Sequence, residues 1–229
     1  MPAGGVHTGK VTTTGTRSAR TDGEGRRRRG GRSAAPPSER REHLVRLAAD
    51  LFAEKGFQAT TVRDIAREAG ILSGSLYHHF DSKESIVDEV LSGFFDEVLT
   101  AYRAAVDKGG DPRETLAELV RIAFGTLEPH RAAVTVIQND WAYLRSMPRF
   151  AYLTKVEQDV EKMWVDTIER GRRTGAFRAD IDAGLTYRMI RDTIWVTVRW
   201  YRPGGPLSTA DLAEHYLKVM FDGIAAPGR

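Results

Sequence analysis

From Pro36 almost to the C-terminus, apolar residues recur three and four positions apart, and no stretch sustains the strict alternation of a half-buried strand. The pattern predicts an all-α protein. The first helix is expected to start near Pro37 and Ser38 and to end at Lys55, with Leu44, Leu47, Ala48, Leu51 and Phe52 on one face. Gly56 should stop it, and Phe57 can then fold back onto that face. Thr61-Val62-Arg63-Asp64 has the form of a capping box, in which the Thr hydroxyl takes an orphan amide while Asp64 reaches back to the helix start. Val62, Ile65, Ala66 and Ala69 then form a buried stripe, Gly70 supplies a tight turn, and Ser73 is a good N-cap for a second short helix whose Leu76 and Phe80 face inward. A long helix from Asp81 or Ser82 to about Asp107 follows, interrupted by Gly109, Gly110 and Pro112. Further helices are expected over residues 112–127, 131–146, 149–173, 182–201 and 208–224, with breaks at Pro129, Pro148, Gly175 and the Pro203-Gly204-Gly205-Pro206 loop. The layout suggests a small three-helix module over residues 35–83 and a larger helical one over 84–229.

Composition narrows the class. The 41% hydrophobic and 28% charged fractions are those of an ordinary soluble chain, with no apolar run near the roughly 18 residues of a membrane span. The absence of cysteine removes disulfides, thiolate metal sites and cysteine nucleophiles. With no apolar leader segment behind the basic start, a cytoplasmic protein without membrane partners is expected. The net charge of +3 is uneven, because residues 1–32 carry +6 and the remainder −3. Rich in Gly, Thr, Ser and Arg, residues 1–34 cannot bury enough surface to offset ordering entropy and are expected to be a disordered basic tail. Two readings of that tail stand side by side: an arm adding sequence-blind phosphate attraction, and a solvated extension or misassigned start.

The second short helix turns Ser75, Tyr77, His78 and His79 outward beside Gly74, a set of small or hydrogen-bonding groups without a carboxylate that suits a major groove. Adjacent His78 and His79 invite a metal reading, yet neighbours on a helix point about 100° apart and chelate one ion poorly. No Gly-x-Ser-x-Gly elbow and no placed base support Ser73 or Ser75 as a nucleophile. No catalytic residue, metal ligand or cofactor is therefore assigned, and the chain is expected not to be an enzyme.

Thr60-Thr61-Val62-Arg63-Asp64-Ile65-Ala66-Arg67-Glu68-Ala69-Gly70, then Gly74-Ser75-Leu76-Tyr77-His78-His79-Phe80 and Ser82-Lys83-Glu84, closely resembles the DNA-binding module of TetR-family repressors. A first helix ending in Phe52-Ala53-Glu54-Lys55-Gly56-Phe57 extends the resemblance over about Ser38 to Val90. It implies a homodimer that sets two recognition helices into successive major grooves of a palindromic double-stranded operator. It also implies a C-terminal domain that binds a small-molecule inducer and pairs with its copy through helices 182–201 and 208–224. Carried over by position, Arg63 is the candidate for a guanine contact, since its fork can bond bidentately, and Ser73 and Ser75 could read bases at short range. Tyr77, His79 and Lys83 match phosphate-holding positions, His78 could do either, and Thr61 and Gly74 complete the expected DNA-binding set. The plainer alternative is an αα-hairpin with no DNA contact.

Within residues 182–201, Arg188, Arg191, Trp195, Arg199 and Arg202 fall in one stripe at 100° per residue. Leu185, Met189, Ile190, Ile194, Val196, Val198, Trp200 and Tyr201 surround it, so this helix is expected to be largely buried and its arginines to need anions. Those anions could be acids such as Asp192, Glu157, Glu161 or Asp166, or groups at the subunit interface. They could equally be phosphates of a polyanionic ligand, with Trp195 as a flat face for a ring or adenine, which would suit a coenzyme A thioester. The stretch from Arg191 to Pro206, together with Gly70 to Phe80, resembles the actinobacterial repressors of late steroid-ring (cholesterol-ring) catabolism. That resemblance implies relief of repression by a CoA thioester of a ring-degradation intermediate. The expected ligand residues are Arg191, Trp195, Arg188, Arg199, Trp141 and Trp164, with Phe124, Leu127, Val136, Gln138 and Tyr152 as further wall candidates. Competing readings are a regulator of another hydrophobic ligand with a purely structural arginine stripe, an enzyme acting on acyl-CoA, and a nucleoid protein indifferent to sequence.

Overall fold

The structure, a computed structural model, describes residues 37–223; the basic tail expected over 1–34 lies outside the described residues. Among the described residues there are nine α-helices and no strand: α1 Pro37–Lys55, α2 Val62–Glu68, α3 Ser73–Leu76, α4 Lys83–Asp107, α5 Pro112–Gly125, α6 Arg131–Arg145, α7 Tyr152–Thr174, α8 Ala183–Val196 and α9 Thr209–Asp222. No helix among them is long and apolar enough to cross a membrane.

Local chemistry explains most boundaries. α1 stops at Gly56, whose φ of +85° is open to glycine and strained for other residues. The Thr61 capping box opens α2, with the Asp64 amide donating to the Thr61 hydroxyl at 3.2 Å and the Thr61 amide donating to the Asp64 carboxylate at 3.0 Å. Hydrogen bonds from Thr61, first its hydroxyl and then its amide, hold the Asp64 carboxyl below its ordinary value. The stability this adds is present above the ordinary carboxylate pKa and is lost only as pH falls through the lowered one. Ser82 caps α4, Asp111 caps α5 with Pro112 in its first turn, Asp182 caps α8 and Ser208 caps α9.

Three boundaries differ from expectation. Ser73 is the first residue of α3 rather than its cap; Leu72 holds the cap position with extended backbone and no capping side-chain bond. The helix expected from 149 begins at Tyr152, after a 3-10 turn at Pro148–Phe150. The helix expected to reach 201 is α-helical only to Val196 and tightens into a 3-10 turn over Thr197–Arg199. There the Thr197 hydroxyl bonds back to the Thr193 carbonyl at 2.9 Å, a contact that bends helices.

α4 is the central element, packing against α1 at one end and against α5, α6 and α7 along the rest. It begins at Lys83, and its buried face runs without a break from Ile86, Val87 and Leu91 to Phe94, Phe95, Val98 and Tyr102. α1 lies against α6 as well. At that junction Phe57 is fully buried, with its ring 5.3 Å from Phe52 and 6.2 Å from Tyr143 of α6. Replacing Phe57 with Ala should cost about 3–5 kcal/mol, read as a fall in the urea midpoint at unchanged slope.

Candidate functional site

Two places gather the expected functional residues. The first is the tip formed by α2, the Gly70 turn and α3. Hydrogen bonds from His79 to the Leu76 carbonyl at 2.9 Å and from Phe80 to the same carbonyl at 3.0 Å extend helical winding past Leu76, with Leu76 and Phe80 buried as anchors. That leaves Gly74, Tyr77 and His78 exposed, Ser73, Ser75 and His79 half-buried, and Arg63 exposed on α2. Tyr77 is 57% exposed, a high value for an aromatic ring. Arg63 takes part in none of the ion pairs among the described residues, whereas Arg67 on the same helix is bound to Asp64 at 2.7 Å.

Two members of the expected DNA-binding set have other work. Lys83 was expected to hold phosphate, but its ammonium donates to the carbonyls of Phe57 at 2.8 Å, Thr60 at 3.0 Å and Gln58 at 3.2 Å, and sits 4.5 Å over the Phe57 ring. All three ammonium donors are used, so Lys83 fastens the loop after α1. Thr61 is likewise committed: both its hydroxyl proton and its backbone amide go to Asp64. In both residues the donors are engaged within the chain.

The second place is a cavity among α4, α6, α7 and α8. Phe95, Gln138, Trp141, Val160, Tyr187, Arg191 and Trp195 line a chamber of about 260 Å³, and a small inner chamber of about 30 Å³ shares Phe95, Val160, Tyr187, Arg191 and Trp195 and adds Tyr102 and Trp164. Edge-on aromatic packing shapes the walls, with Phe95 against Trp141 at 6.1 Å and Tyr102 against Trp164 at 5.7 Å. Burial pushes the Tyr102 phenol up, and burial, partly offset by Arg191, pushes the Tyr187 phenol up to about 12. Both are neutral at neutral pH. The Arg191 guanidinium lies over the Tyr187 ring at 5.6 Å, and its Nε donates to Asp192 at 2.9 Å.

The arginine stripe does not form as expected. Arg191 and Trp195 face the cavity, whereas Arg188, Arg199 and Arg202 are exposed, because the change of winding after Val196 breaks the 100° progression and Arg188 lies on the outer flank. Nor is α8 largely buried within one chain: Leu185 is 57%, Met189 64% and, just beyond the helix, Trp200 58% exposed. Of the acids considered as partners, Asp192 pairs with Arg191, while Glu157 pairs with Arg145 and Asp166 with Lys162. Phe124, Leu127 and Val136 are buried in the core and line neither chamber, and the Tyr152 hydroxyl binds Asp88 at 2.9 Å.

A helix-turn-helix tip joined by a long central helix to an aromatic cavity is an arrangement with known relatives. The family model of bacterial regulatory proteins of the TetR family matches residues 44–90, and that of the tetracyclin repressor-like C-terminal domain matches residues 109–224. The transcriptional repressor KstR2 of Rhodococcus jostii is 48% identical over 190 residues, covering 83% of this chain and 93% of that protein. KstR2 of Mycobacterium tuberculosis is 49% identical over 197 residues, covering 86% and 98%. The solved structure of the latter, described as a ketosteroid transcriptional regulator, superposes with a TM-score of 0.78 at 50% identity over 82% of this chain and 96% of that one.

This chain belongs to the TetR family.

Within that family frame, its least sequence-evident residue is Asp140 of α6. It is buried, next to Trp141 of the cavity wall, and its carboxylate accepts the Phe57 amide at 3.1 Å. One aspartate among the many of a polar sequence gave no signal, since its partner lies 83 positions away. Phe95 and Tyr187 are hidden for a different reason: their apolar spacing reads as core. Lys83→Ala should lower the thermal midpoint through three lost loop bonds, whereas Arg63→Ala should change folding stability by no more than about 0.5 kcal/mol, a contrast that calorimetry of the two variants would read directly.

Proposed function

We propose that this chain is a homodimeric transcriptional repressor of steroid-ring catabolic genes, which holds a palindromic operator and leaves it when an acyl-CoA thioester enters the aromatic cavity. The observation that carries the reading is the Arg191 and Trp195 pair on the wall of that cavity, in a chain 48% identical to a KstR2 repressor. A guanidinium beside flat aromatic surfaces fits a ring system that carries a polar carbonyl. The chamber of about 260 Å³ is smaller than the roughly 300–1,000 Å³ of sites that enclose whole drug-sized ligands. The ring-bearing acyl part would therefore occupy it while the nucleotide stays outside, its phosphates hydrated.

Operator contact is supported by the exposed Arg63, Gly74, Tyr77 and His78 with Ser73, Ser75 and His79 beside them. Dimerisation is supported by the exposed apolar residues Leu185, Met189, Val196 and Trp200 on and just after α8 and by exposed Val219 on α9, which a second copy would cover. Release would travel along two routes that meet at the loop after α1. α4 carries cavity residue Phe95 and loop anchor Lys83, and α6 carries cavity residue Trp141 and loop anchor Asp140. A ligand binding the non-operator arrangement about a hundredfold better would shift occupancy usefully. The pairing of Arg191 with Asp192 favours a second reading, in which the ligand is hydrophobic and uncharged and Arg191 only braces α8.

Titration of an operator gel shift with steroid-derived CoA thioesters beside the matching free acids and neutral steroids separates the two; release by the thioesters alone supports the first, and release by neutral steroids the second. Replacement of Arg191 by Ala should leave operator affinity unchanged and raise the thioester concentration for half-release about tenfold or more, as expected for losing a hydrogen bond from a charged group. Asp140→Ala should preserve ligand binding, followed by tryptophan fluorescence, while weakening operator release; equal loss of both would count against the α6 route.

A further inference from the structure

We infer that Leu72 reads DNA sequence by packing its side chain on the 5-methyl group of a thymine in the major groove. The inference rests on the operator-binding reading above and adds to it a base identity.

Leu72 is 79% exposed, more than any other large hydrophobic residue among those described. It stands at the N-cap of α3, with φ −73° and ψ 143°, where a Ser, Thr, Asp or Asn would satisfy an amide of the first turn and Leu cannot; no side-chain cap bond is made there. Solvent and helix chemistry thus both disfavour leucine at this position. A residue that breaks two local rules at the tip of a binding module points to something outside the chain that covers it.

The surroundings say what kind of group that is. Next to Leu72 along the chain come half-buried Ser73, exposed Gly74 and half-buried Ser75, with exposed Tyr77 one turn on and exposed Arg63 on α2. A Cβ added at Gly74 would meet nothing within 4 Å, so a large flat partner can approach closely. A protein partner would need an apolar core around Leu72; the residues that follow it, Ser73, Ser75 and Tyr77, carry hydroxyls, and Ile71 before it packs on the core. The major-groove edge of a base pair offers the matching mixture: acceptors and donors for the polar groups, and one apolar feature, the methyl of thymine. Leu185, Met189 and Val196 recur at helical spacing along α8 and suit a protein surface; at the tip, Leu72 is the exposed aliphatic residue and its exposed companion Tyr77 carries a hydroxyl.

The test begins with duplexes selected by the full-length protein from a random library. In the best palindrome each thymine is replaced in turn by deoxyuridine, which removes only the methyl, and affinities are measured by fluorescence anisotropy for the wild type, Leu72→Ala and Leu72→Ser. One symmetry-related thymine per half-site should show a wild-type loss of about fourfold per methyl, following from roughly 0.8 kcal/mol per buried methyl-sized group. Both variants should be indifferent to that replacement. Leu72→Ser restores a cap and so should fold at least as well as the wild type, which separates lost reading from lost structure. Wild-type indifference to every deoxyuridine overturns the inference, as does a deoxyuridine penalty kept in the variants or a uniform weakening of all duplexes by Leu72→Ala, the mark of a backbone contact. Failure to enrich any duplex would sink the operator-binding reading along with it.

Discussion

The loop after α1 is held by one residue from three sides. The Phe57 ring is buried between Phe52 and Tyr143, its amide is accepted by Asp140 of α6, and its carbonyl is bonded by Lys83 of α4. A buried backbone amide and carbonyl without partners would each cost roughly 1–3 kcal/mol, so the loop has little freedom to sit elsewhere while α4 and α6 keep their places. Because Phe52 of α1, Ile65 of α2, Leu76 of α3 and the following Phe80 belong to the same continuous core, fixing this loop constrains the helix-turn-helix tip. A displacement of α4 or α6 would strain the bonds that Lys83 and Asp140 make to Phe57.

The same two helices line the cavity, which gives the fold a mechanical economy. Phe95 is on the helix that begins with Lys83, and Trp141 follows Asp140 directly in sequence, so side chains that would meet a ligand are covalently near the side chains that grip the loop. Close-packed interiors respond to an inserted ring by shifting rigid elements rather than by local give. The aromatic walls add to this, since Tyr102 of α4, Trp164 of α7 and Tyr187 of α8 pack ring against ring and tie the three helices together.

Hydrogen-bonding capacity around the helix-turn-helix divides by the same logic. Lys83 and Thr61 have the chemistry of DNA ligands but spend their donors inside the chain, while Arg63, a few residues from Thr61, keeps its guanidinium in solvent. Residue type marks which groups could meet a phosphate or base edge; hydrogen-bond commitments determine which remain able to.

The helix class, the start of α2 at Thr61 and of α4 at Ser82, and the stop at Gly56 were legible in the chain itself, because caps and turns are decided by groups within a few positions of one another. The family resemblance was legible too, in a contiguous run of residues. What only the tertiary structure decided were the interactions between distant segments: Asp140 on Phe57, Lys83 on three loop carbonyls, Phe95 and Tyr187 in the cavity, and the dispersal of the arginine stripe. A periodic pattern assigns a side chain to a face on the assumption of uniform winding, and that assumption failed where α8 tightens after Val196. It also cannot tell a wall from a core, since both bury apolar rings, and the difference lies only in whether an opposing helix fills the space.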